Sequence, residues 1–244
     1  DLELPGRQAE LVERTARANP RTVVVVNAGA PIRMDWLARV PAVVQLWYPG
    51  QECGNALADV LFGDLNPSGR LPQTWPKRLE DTPAFLHYPG ENGRVVYGED
   101  LFMGYRYYDA KRVEPLFPFG HGLSYTRFVY TDLRLARAVV RAGEANEVEL
   151  DVTNAGSRAG QEVVQLYVHD PVSRLARPEQ ELRAFAKLAL EPGETKTVEF
   201  RLEPRALSYW DPKFPGWVAE PGEFELRAGA SSRDVRACAR FRLE

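Results

Sequence analysis

The spacing of apolar residues changes near residue 125 and divides the chain into two patterns. Before about residue 70, helical and extended segments alternate. Apolar residues recur at helical spacing between Leu11 and Ala18, which predicts an amphipathic helix. The β-branched run Val23 to Val26 follows without polar alternation. Such a run is typical of a strand buried on both faces of a parallel sheet.

The same cycle occurs a second time. A short helix is predicted over residues 34–38, an apolar strand over residues 42–46, and a third helix over about residues 54–62. Strands separated by helices are typical of the βαβ units of a doubly wound α/β sheet. Residues 74–122 are rich in aromatic and turn-forming residues, and a strand is expected at residues 103–108.

Beyond Ser124, apolar and polar positions alternate with a period of two. Residues 148–152, 164–168, 198–202 and 224–228 show this alternation, and Pro-Gly pairs separate several of the segments. Short alternating strands between turn signals predict an antiparallel β-sandwich. The sequence therefore predicts two domains, an α/β domain over residues 1–125 and an all-β domain over residues 126–244.

Composition excludes several function classes. The 31 basic and 34 acidic residues give a net charge of −3, too near neutral for a nucleic-acid-binding surface. No stretch approaches the ~18 apolar residues of a membrane-spanning helix. The three histidines show no metal-ligand spacing, and no nucleotide-binding motif occurs. We therefore expect no cofactor, metal, nucleic acid or membrane partner.

Cysteine usage bears on the compartment. Cys53 and Cys238 are far apart in the sequence, and we expect two buried free thiols rather than a disulfide. Free thiols and the lack of a glycosylation sequon favour the bacterial cytoplasm as the compartment, and secretion stays open. A start at Asp1 without a signal-like segment indicates a processed or partial chain.

The loops that follow the two predicted parallel strands are candidate binding elements, because open α/β sheets bind ligands at the carboxyl ends of their strands. Trp47 and Tyr48 place flat rings near Glu52, a combination that suits sugar rings. In the alternative interpretation, both rings pack against the neighbouring helix, and Glu52 interacts with the helix dipole in the first turn.

Hydrolysis of a glycosidic bond commonly needs two carboxylates that flank it. Acidic side chains near aromatic or turn residues are candidates, and the pattern alone singles out no pair among them. These residues are Asp35, Glu52, Glu91, Glu99 and Asp100.

Several strings in order resemble glycoside hydrolase family 3, and bacterial β-glucosidases within it. In the first half they are residues 23–31, 47–52, 54, 56, 61–64, 66–72, 104–109 and 118–126. The second half is similar to the family's fibronectin type III-like module at residues 151–154, 160, 163–168, 177–178, 181–182, 185, 187–188 and 192–194. The resemblance implies a partial α/β sandwich domain followed by an immunoglobulin- or fibronectin III-like β-sandwich.

The resemblance also implies where the chemistry lies. In the family, the nucleophile is an Asp on an N-terminal (β/α)8 barrel, and the acid/base is a Glu just before a Leu-x-Leu-Pro-Gly string. Residues 2–6 match that string, and Glu3 occupies its variable position. We therefore expect both catalytic carboxylates outside this chain, the barrel of the same enzyme as partner, and a β-glucoside as substrate at a shared active site. Trp47, Tyr48 and Glu52 are the residues expected near it.

Two other functions stay open at this point. One is a non-catalytic module that binds carbohydrate or protein. The other is a β-xylosidase or related exo-glycosidase on the same architecture, since the resemblance places specificity largely in the barrel. An upstream barrel and acidic loop would favour an enzyme, and a chain that functions alone would favour the module.

Overall fold

A computed structural model describes all residues, 1–244. The helices are α1 Gln8–Ala18, α2 Cys53–Phe62 and α3 Tyr105–Lys111. The strands are β1 Val23–Val26, β2 Ala42–Gln45, β3 Phe128–Leu135, β4 Val139–Val140, β5 Asn146–Asn154, β6 Gly160–His169, β7 Glu181–Leu190, β8 Thr195–Leu202, β9 Tyr209–Asp211, β10 Gly216–Val218, β11 Gly222–Ser231 and β12 Asp234–Leu243. Each of the three helices is too short or too polar to cross a membrane.

The chain forms two compact units. The first, called the α/β unit, comprises Asp1–Leu65, Trp75–Gly98 and Pro115–Phe117. The second, called the sandwich unit, comprises Asn66–Thr74, Glu99–Glu114 and Pro118–Glu244. The sequence-based boundary between residues 125 and 126 stays a prediction.

The α/β unit contains the predicted parallel strands. β1 pairs with β2 in parallel, with Val23 opposite Ala42 and Val26 opposite Gln45. α2 ends at Phe62 and is capped by Gly63, whose φ of 85° is left-handed and favours glycine. Burial of the strands is incomplete, because Val23 and Val25 are 43% and 37% exposed while Val26 is buried. The sequence predicts that β1 is covered on both faces, but within this chain it is not.

The segment after β1 differs from the prediction. Residues 34–38 were expected to be helical, but only the 3₁₀ turn Leu37–Arg39 forms. Buried and exposed residues alternate before it, and Ile32, Met34 and Trp36 point into the core of the unit. Burial of every second residue does not match the spacing of about 3.6 residues by which a helix buries one face, so this segment enters the 3₁₀ turn without forming the predicted helix.

The sandwich unit consists of two packed sheets and the segments bound to them. One sheet has the strand order β4-β12-β11-β6-β7, and the other has the order β3-β5-β8. Their inner faces share one core, in which Leu150 and Val152 of β5 and Leu166 of β6 are fully buried. The predicted β-sandwich is confirmed, and its alternation places every second residue in this core.

The strand expected at residues 103–108 is a helix instead. α3 begins after Gly104, whose φ is 53°, and it places Tyr105 and Tyr108 on one face, three residues apart. The Tyr105 hydroxyl accepts a hydrogen bond of 2.8 Å from the backbone N–H of Leu182, and its ring meets Tyr167 edge-on at 5.8 Å. Tertiary contacts thus decide the conformation of an aromatic run whose local pattern also suits a strand.

A buried ion pair binds residues 66–74 to the sandwich. Arg70 Nη2 lies 2.7 Å from Glu162 Oε1, and their side chains are only 8% and 2% exposed. The Asn66 amide adds a hydrogen bond of 3.0 Å to the carbonyl of Ala159 and accepts one of 2.8 Å from the N–H of Tyr125. The family-like string around Asn66 therefore has a structural role.

Both cysteines are free thiols, as expected. The expectation that they are buried is wrong, because Cys53 is half-buried and Cys238 is exposed. Cys238 lies on β12, where the period of two directs it away from the core occupied by Phe241 and Leu243.

The Arg70–Glu162 pair gives a prediction about stability. Arg70→Met leaves the buried Glu162 carboxylate with only the longer contact to Arg236, whose Nη1 lies 3.9 Å from Oε2, so the free energy of unfolding of the sandwich unit should fall by about 3 kcal/mol. Denaturant unfolding followed by far-ultraviolet circular dichroism measures this change. The double variant Arg70→Met/Glu162→Met should recover most of the loss, because no buried charge remains.

Arg201→Met is the matched control, since Arg201 pairs with Glu147 and Glu203 at the surface. Its unfolding curve should nearly coincide with that of the unmodified chain. Equal losses for Arg70→Met and Arg201→Met would contradict the interpretation.

Candidate functional site

The carboxyl ends of β1 and β2 bring two loops side by side, at residues 27–31 and 46–52. Gln45, the last residue of β2, donates a hydrogen bond of 2.6 Å from Nε2 to the carbonyl of Ala28. The backbone N–H of Leu46 donates to the carbonyl of Val26 at 2.9 Å. These bonds fix the loops to each other at the edge where open α/β sheets bind ligands.

Trp47 packs inward from this edge. Its ring centroid lies 6.1 Å from that of Trp75, which is 1% exposed and donates a hydrogen bond of 2.7 Å from Nε1 to the carbonyl of Ile32. Trp47 also has a φ of 58°, which is unfavourable for a side-chain-bearing residue. The contact with Trp75 supports the packing interpretation of Trp47 over direct exposure to a ligand.

Tyr48 points the other way. Its side chain is 84% exposed, and its ring lies over Gly29 so closely that a Cβ at position 29 would clash with it. Glycine at position 29 permits this close approach, and a side chain there would displace the exposed end of the Tyr48 ring. The result is an aromatic ring presented to solvent across both loops.

Glu52 immediately precedes α2 and is exposed. Its Oε2 accepts a hydrogen bond of 2.6 Å from Nδ2 of Asn55, and its carbonyl accepts a bond of 3.0 Å from the N–H of Ala56. A carboxylate here interacts favourably with the helix N-terminus. Glu52 is thus oriented at the same edge as Tyr48 and is open to solvent.

Arg33 anchors the start of the chain beside these loops. Its backbone N–H donates a hydrogen bond of 2.7 Å to the carbonyl of Leu2. Its guanidinium lies 3.2 Å from Glu3 Oε1 and 2.7 Å from Asp35 Oδ2. Hydrogen bonding to Asp35, and then to Glu3, raises the pKa of Arg33 above its ordinary value. Sequence reasoning missed Arg33, although its acidic neighbour two positions on indicates an ion pair.

The other candidate carboxylates do not form a pair with one another, and each has its own neighbours. Asp35 is paired with Arg33, and Glu91 is exposed in a tight turn closed by backbone hydrogen bonds with Arg94. Glu99 and Asp100 belong to the sandwich unit, where Asp100 is exposed and Oε2 of Glu99 is buried without a hydrogen-bond partner.

The histidines occupy separate places. His87 lies against Gly98, and His169 Nδ1 contacts the carbonyl of Glu179 at 2.5 Å. Burial lowers the pKa of His121, and the nearby charge of Arg70 lowers it further. Across residues 1–244, no three His, Cys, Asp or Glu side chains form a group that could hold a metal ion.

Two models of known protein domains match this chain. A model of the C-terminal domain of glycosyl hydrolase family 3 matches residues 1–125, and a model of a fibronectin type III-like domain matches residues 162–232. The chain belongs to glycosyl hydrolase family 3. The resemblance that the sequence strings indicate is thereby confirmed.

The relatives within family 3 include β-glucosidases. The beta-glucosidase of Rhizobium radiobacter is 52% identical over 100% of this chain, and the thermostable beta-glucosidase B of Acetivibrio thermocellus is 47% identical over 96%. The chain spans 30% and 31% of the lengths of these two relatives.

Solved structures of family 3 enzymes share the fold. The beta-glucosidase from Kluyveromyces marxianus in complex with glucose matches 100% of this chain at 44% identity with a TM-score of 0.94, and the match covers 29% of that protein. The beta-glucosidase from Bifidobacterium adolescentis matches 99% of this chain at 40% identity with a TM-score of 0.95, over 36% of its own length. The predicted fold class, an α/β part followed by a fibronectin III-like β-sandwich, is confirmed.

Trp47 and Tyr48 should respond differently to truncation. Trp47→Ala removes the contact with Trp75, so the free energy of unfolding of the α/β unit should fall by about 2–3 kcal/mol. Tyr48→Ala should change it by less than ~0.5 kcal/mol, because the ring is exposed. Denaturant unfolding followed by tryptophan fluorescence measures both, since Trp36 and Trp75 report on this unit. A larger loss for Tyr48→Ala than for Trp47→Ala would refute the packing assignment.

Proposed function

We propose that this chain is the C-terminal part of a retaining exo-β-glycosidase, a β-glucosidase that releases terminal β-D-glucosyl residues. The nucleophile Asp and the acid/base Glu lie in parts of the enzyme outside these 244 residues. The observation that carries the proposal is the match of the whole chain to β-glucosidases of which it spans only about 30%. The partner is the remainder of the same enzyme, including an N-terminal (β/α)8 barrel.

Exposed apolar side chains support a partner for the α/β unit. Val23 and Val25 on β1 and Leu61 and Phe62 at the end of α2 are exposed, Phe62 to 84%. Parallel sheets are ordinarily covered on both faces, and an isolated pair of strands has little stability of its own. A further layer of the enzyme that covers these positions would explain why they carry apolar side chains.

The chain's own contribution to catalysis is positioning. Retaining glycosidases use two carboxyl groups about 5–5.5 Å apart, one as nucleophile and one as acid and then base. Residues 2–6 resemble the string that follows the family's acid/base, and Arg33 fixes Leu2 and Glu3 against the loop after β1. A displacement of about 1 Å in a reacting group can cost ~100-fold in rate. Arg33 is therefore a positioning residue for the acid/base loop.

Tyr48 and Glu52 form the chain's contribution to the substrate surroundings. The exposed Tyr48 ring offers a flat apolar surface for the C–H face of a glucosyl ring. Glu52, exposed on the same loop, offers a carboxylate that accepts hydrogen bonds from sugar hydroxyls. Trp47, the chain neighbour of Tyr48, is held in place by its contact with Trp75. We also propose that the boundary between the α/β domain and the fibronectin III-like domain lies between residues 125 and 126.

An activity assay tests the proposal. The complete enzyme should hydrolyse p-nitrophenyl β-D-glucoside with retention of configuration, and the isolated 244-residue chain should show no turnover. Turnover by the isolated chain that one carboxylate substitution within it abolishes would overturn the assignment of the reacting groups. A complete polypeptide that binds the glucoside without hydrolysing it would favour a non-catalytic module. A strong preference for the corresponding β-xyloside would favour the xylosidase alternative.

Arg33→Ala tests the positioning role. In the complete enzyme, we expect kcat to fall at least threefold with KM changed less than twofold, because the acid/base loop loses the Arg33–Glu3 ion pair while the backbone hydrogen bond from Arg33 to Leu2 and the substrate contacts remain. Arg33→Lys should restore part of kcat, since a lysine retains one ion pair. Steady-state kinetics on p-nitrophenyl β-D-glucoside measures both values.

Arg78→Ala is the matched control in the same unit. Arg78 is exposed and also pairs with a nearby carboxylate, that of the largely buried Asp81. Its kcat should stay within twofold of the unmodified enzyme. Unchanged kcat in Arg33→Ala, or an equal loss in Arg78→Ala, would remove Arg33 from the positioning scheme.

A further inference from the structure

The hairpin β9–β10 carries two tryptophans that face solvent together. Trp210 and Trp217 lie directly opposite each other across the two strands, with ring centroids 5.7 Å apart and planes at 72°. Each side chain is 50% exposed. Phe214, in the connection between the strands, is 61% exposed. These three residues are called the aromatic hairpin.

The outward orientation of the tryptophans is fixed by their neighbours. Tyr209 and Asp211, on either side of Trp210, are 6% and 2% exposed. Arg174 donates hydrogen bonds to both, at 3.2 Å to the Tyr209 hydroxyl and by a short contact to the Asp211 carboxylate. Because side chains alternate along a strand, burial of these two residues places Trp210 at the surface.

Stabilisation of the hairpin explains why the two tryptophan rings touch, but not why both remain half exposed. A cross-strand aromatic pair contributes about 0.2–1 kcal/mol, which explains the contact between the rings. Arg205 adds a cation–π contact, with its guanidinium carbon 4.0 Å from the Trp217 ring centroid. Neither contact requires half of each indole to remain exposed, and adjoining aromatic side chains at a surface often mark a binding site.

A shallow cavity opens beside Trp217 of the aromatic hairpin, and a second cavity lies next to the first. One of about 240 Å³ has Trp217 as a wall and includes Leu207, Ser208 and Glu144 in its lining. The second, of about 310 Å³, is lined by polar residues that include Arg137, Glu144 and Arg201. Since Glu144 lines both cavities, they adjoin there. The larger volume lies at the lower end of the range of about 300–1,000 Å³ typical of small-molecule sites, and the smaller volume lies below that range.

The polar lining is charge-balanced. Arg137 Nη1 lies 2.6 Å from Glu144 Oε2, and Arg201 Nη1 lies 2.6 Å from Glu147 Oε1. Each guanidinium is thus compensated by a carboxylate, so the surface favours a neutral polar ligand over an anion or a cation. Paired planar donors and acceptors can bind neighbouring hydroxyl groups on one ligand.

We propose that the aromatic hairpin and the two adjoining cavities form a binding site for a neutral oligosaccharide. A sugar ring presents an apolar C–H face, which stacks on the exposed indoles, and hydroxyls at its rim, which bind the charge-compensated pairs. A protein partner fits less well, because charged residues are depleted from the cores of protein interfaces. The proposal concerns non-catalytic binding and does not depend on the hydrolytic function.

Binding of defined glucose oligomers to the 244-residue chain tests this site. Cellohexaose and laminarihexaose are the probes, and isothermal titration calorimetry gives the Kd. At least one probe should bind with one-to-one saturation, and Trp217→Ala and Trp210→Ala should each raise its Kd at least tenfold. Phe185→Ala is the matched control, because Phe185 is 69% exposed elsewhere in the same unit, and it should change the Kd less than twofold.

Glu144→Ala keeps the test decisive if a tryptophan variant fails to fold. Glu144 is exposed in a turn, so its removal should leave the far-ultraviolet circular dichroism spectrum unchanged and raise the Kd at least threefold. No saturable binding of either probe would overturn the proposal, as would binding that both Trp217→Ala and Glu144→Ala leave intact. Self-association of the chain that Trp217→Ala abolishes, in the absence of sugar binding, would overturn it in favour of contact between two copies.

Discussion

A parallel sheet has two apolar faces to cover, and this constraint governs the α/β unit. Val23 and Val25 on β1 belong to a strand whose composition suits full burial, yet both are exposed in this chain. The sandwich unit is the opposite case. Its two sheets face each other, and residues such as Leu150 and Leu166 are fully buried between them. One unit therefore has a closed core, and the other has apolar faces that a further layer of the proposed larger enzyme would cover.

This chain can contribute to the proposed glycosidase reaction by holding loops in fixed positions. The reacting carboxylates of a glycosidase need exact separation, and rigid neighbours provide it. Arg33, which binds both Leu2 and Glu3, is such a neighbour in our proposal. The buried Arg70–Glu162 pair has the corresponding role within the sandwich unit. Both are long-range contacts that convert a loop into a fixed element.

The sequence pattern predicts the regular part of this structure well. The helix α1, the strands β1 and β2 and the β-sandwich follow from local spacing, because burial of one face sets the spacing directly. Local spacing fails where distant residues decide. α3 was expected as a strand, and its helical form is stabilised by the contacts of Tyr105 with Leu182 and Tyr167.

The candidate sites show the same limit. The sequence indicates Trp47, Tyr48 and Glu52 as one group, and the structure separates Trp47, which packs on Trp75, from the exposed Tyr48. The contact between residues 47 and 75 depends on tertiary folding and has no local signal. Trp210 and Trp217 likewise become neighbours only through the register of β9 and β10.

Hydrogen–deuterium exchange tests most directly whether the α/β unit is completed by the rest of the enzyme. Backbone amides of β1 and β2 would be compared between the isolated 244-residue chain and the complete enzyme, with β5 and β6 as internal reference. The account predicts that β1 and β2 exchange at least tenfold faster in the isolated chain, while β5 and β6 exchange at equal rates in both. Equal protection of β1 and β2 in the two samples would contradict it.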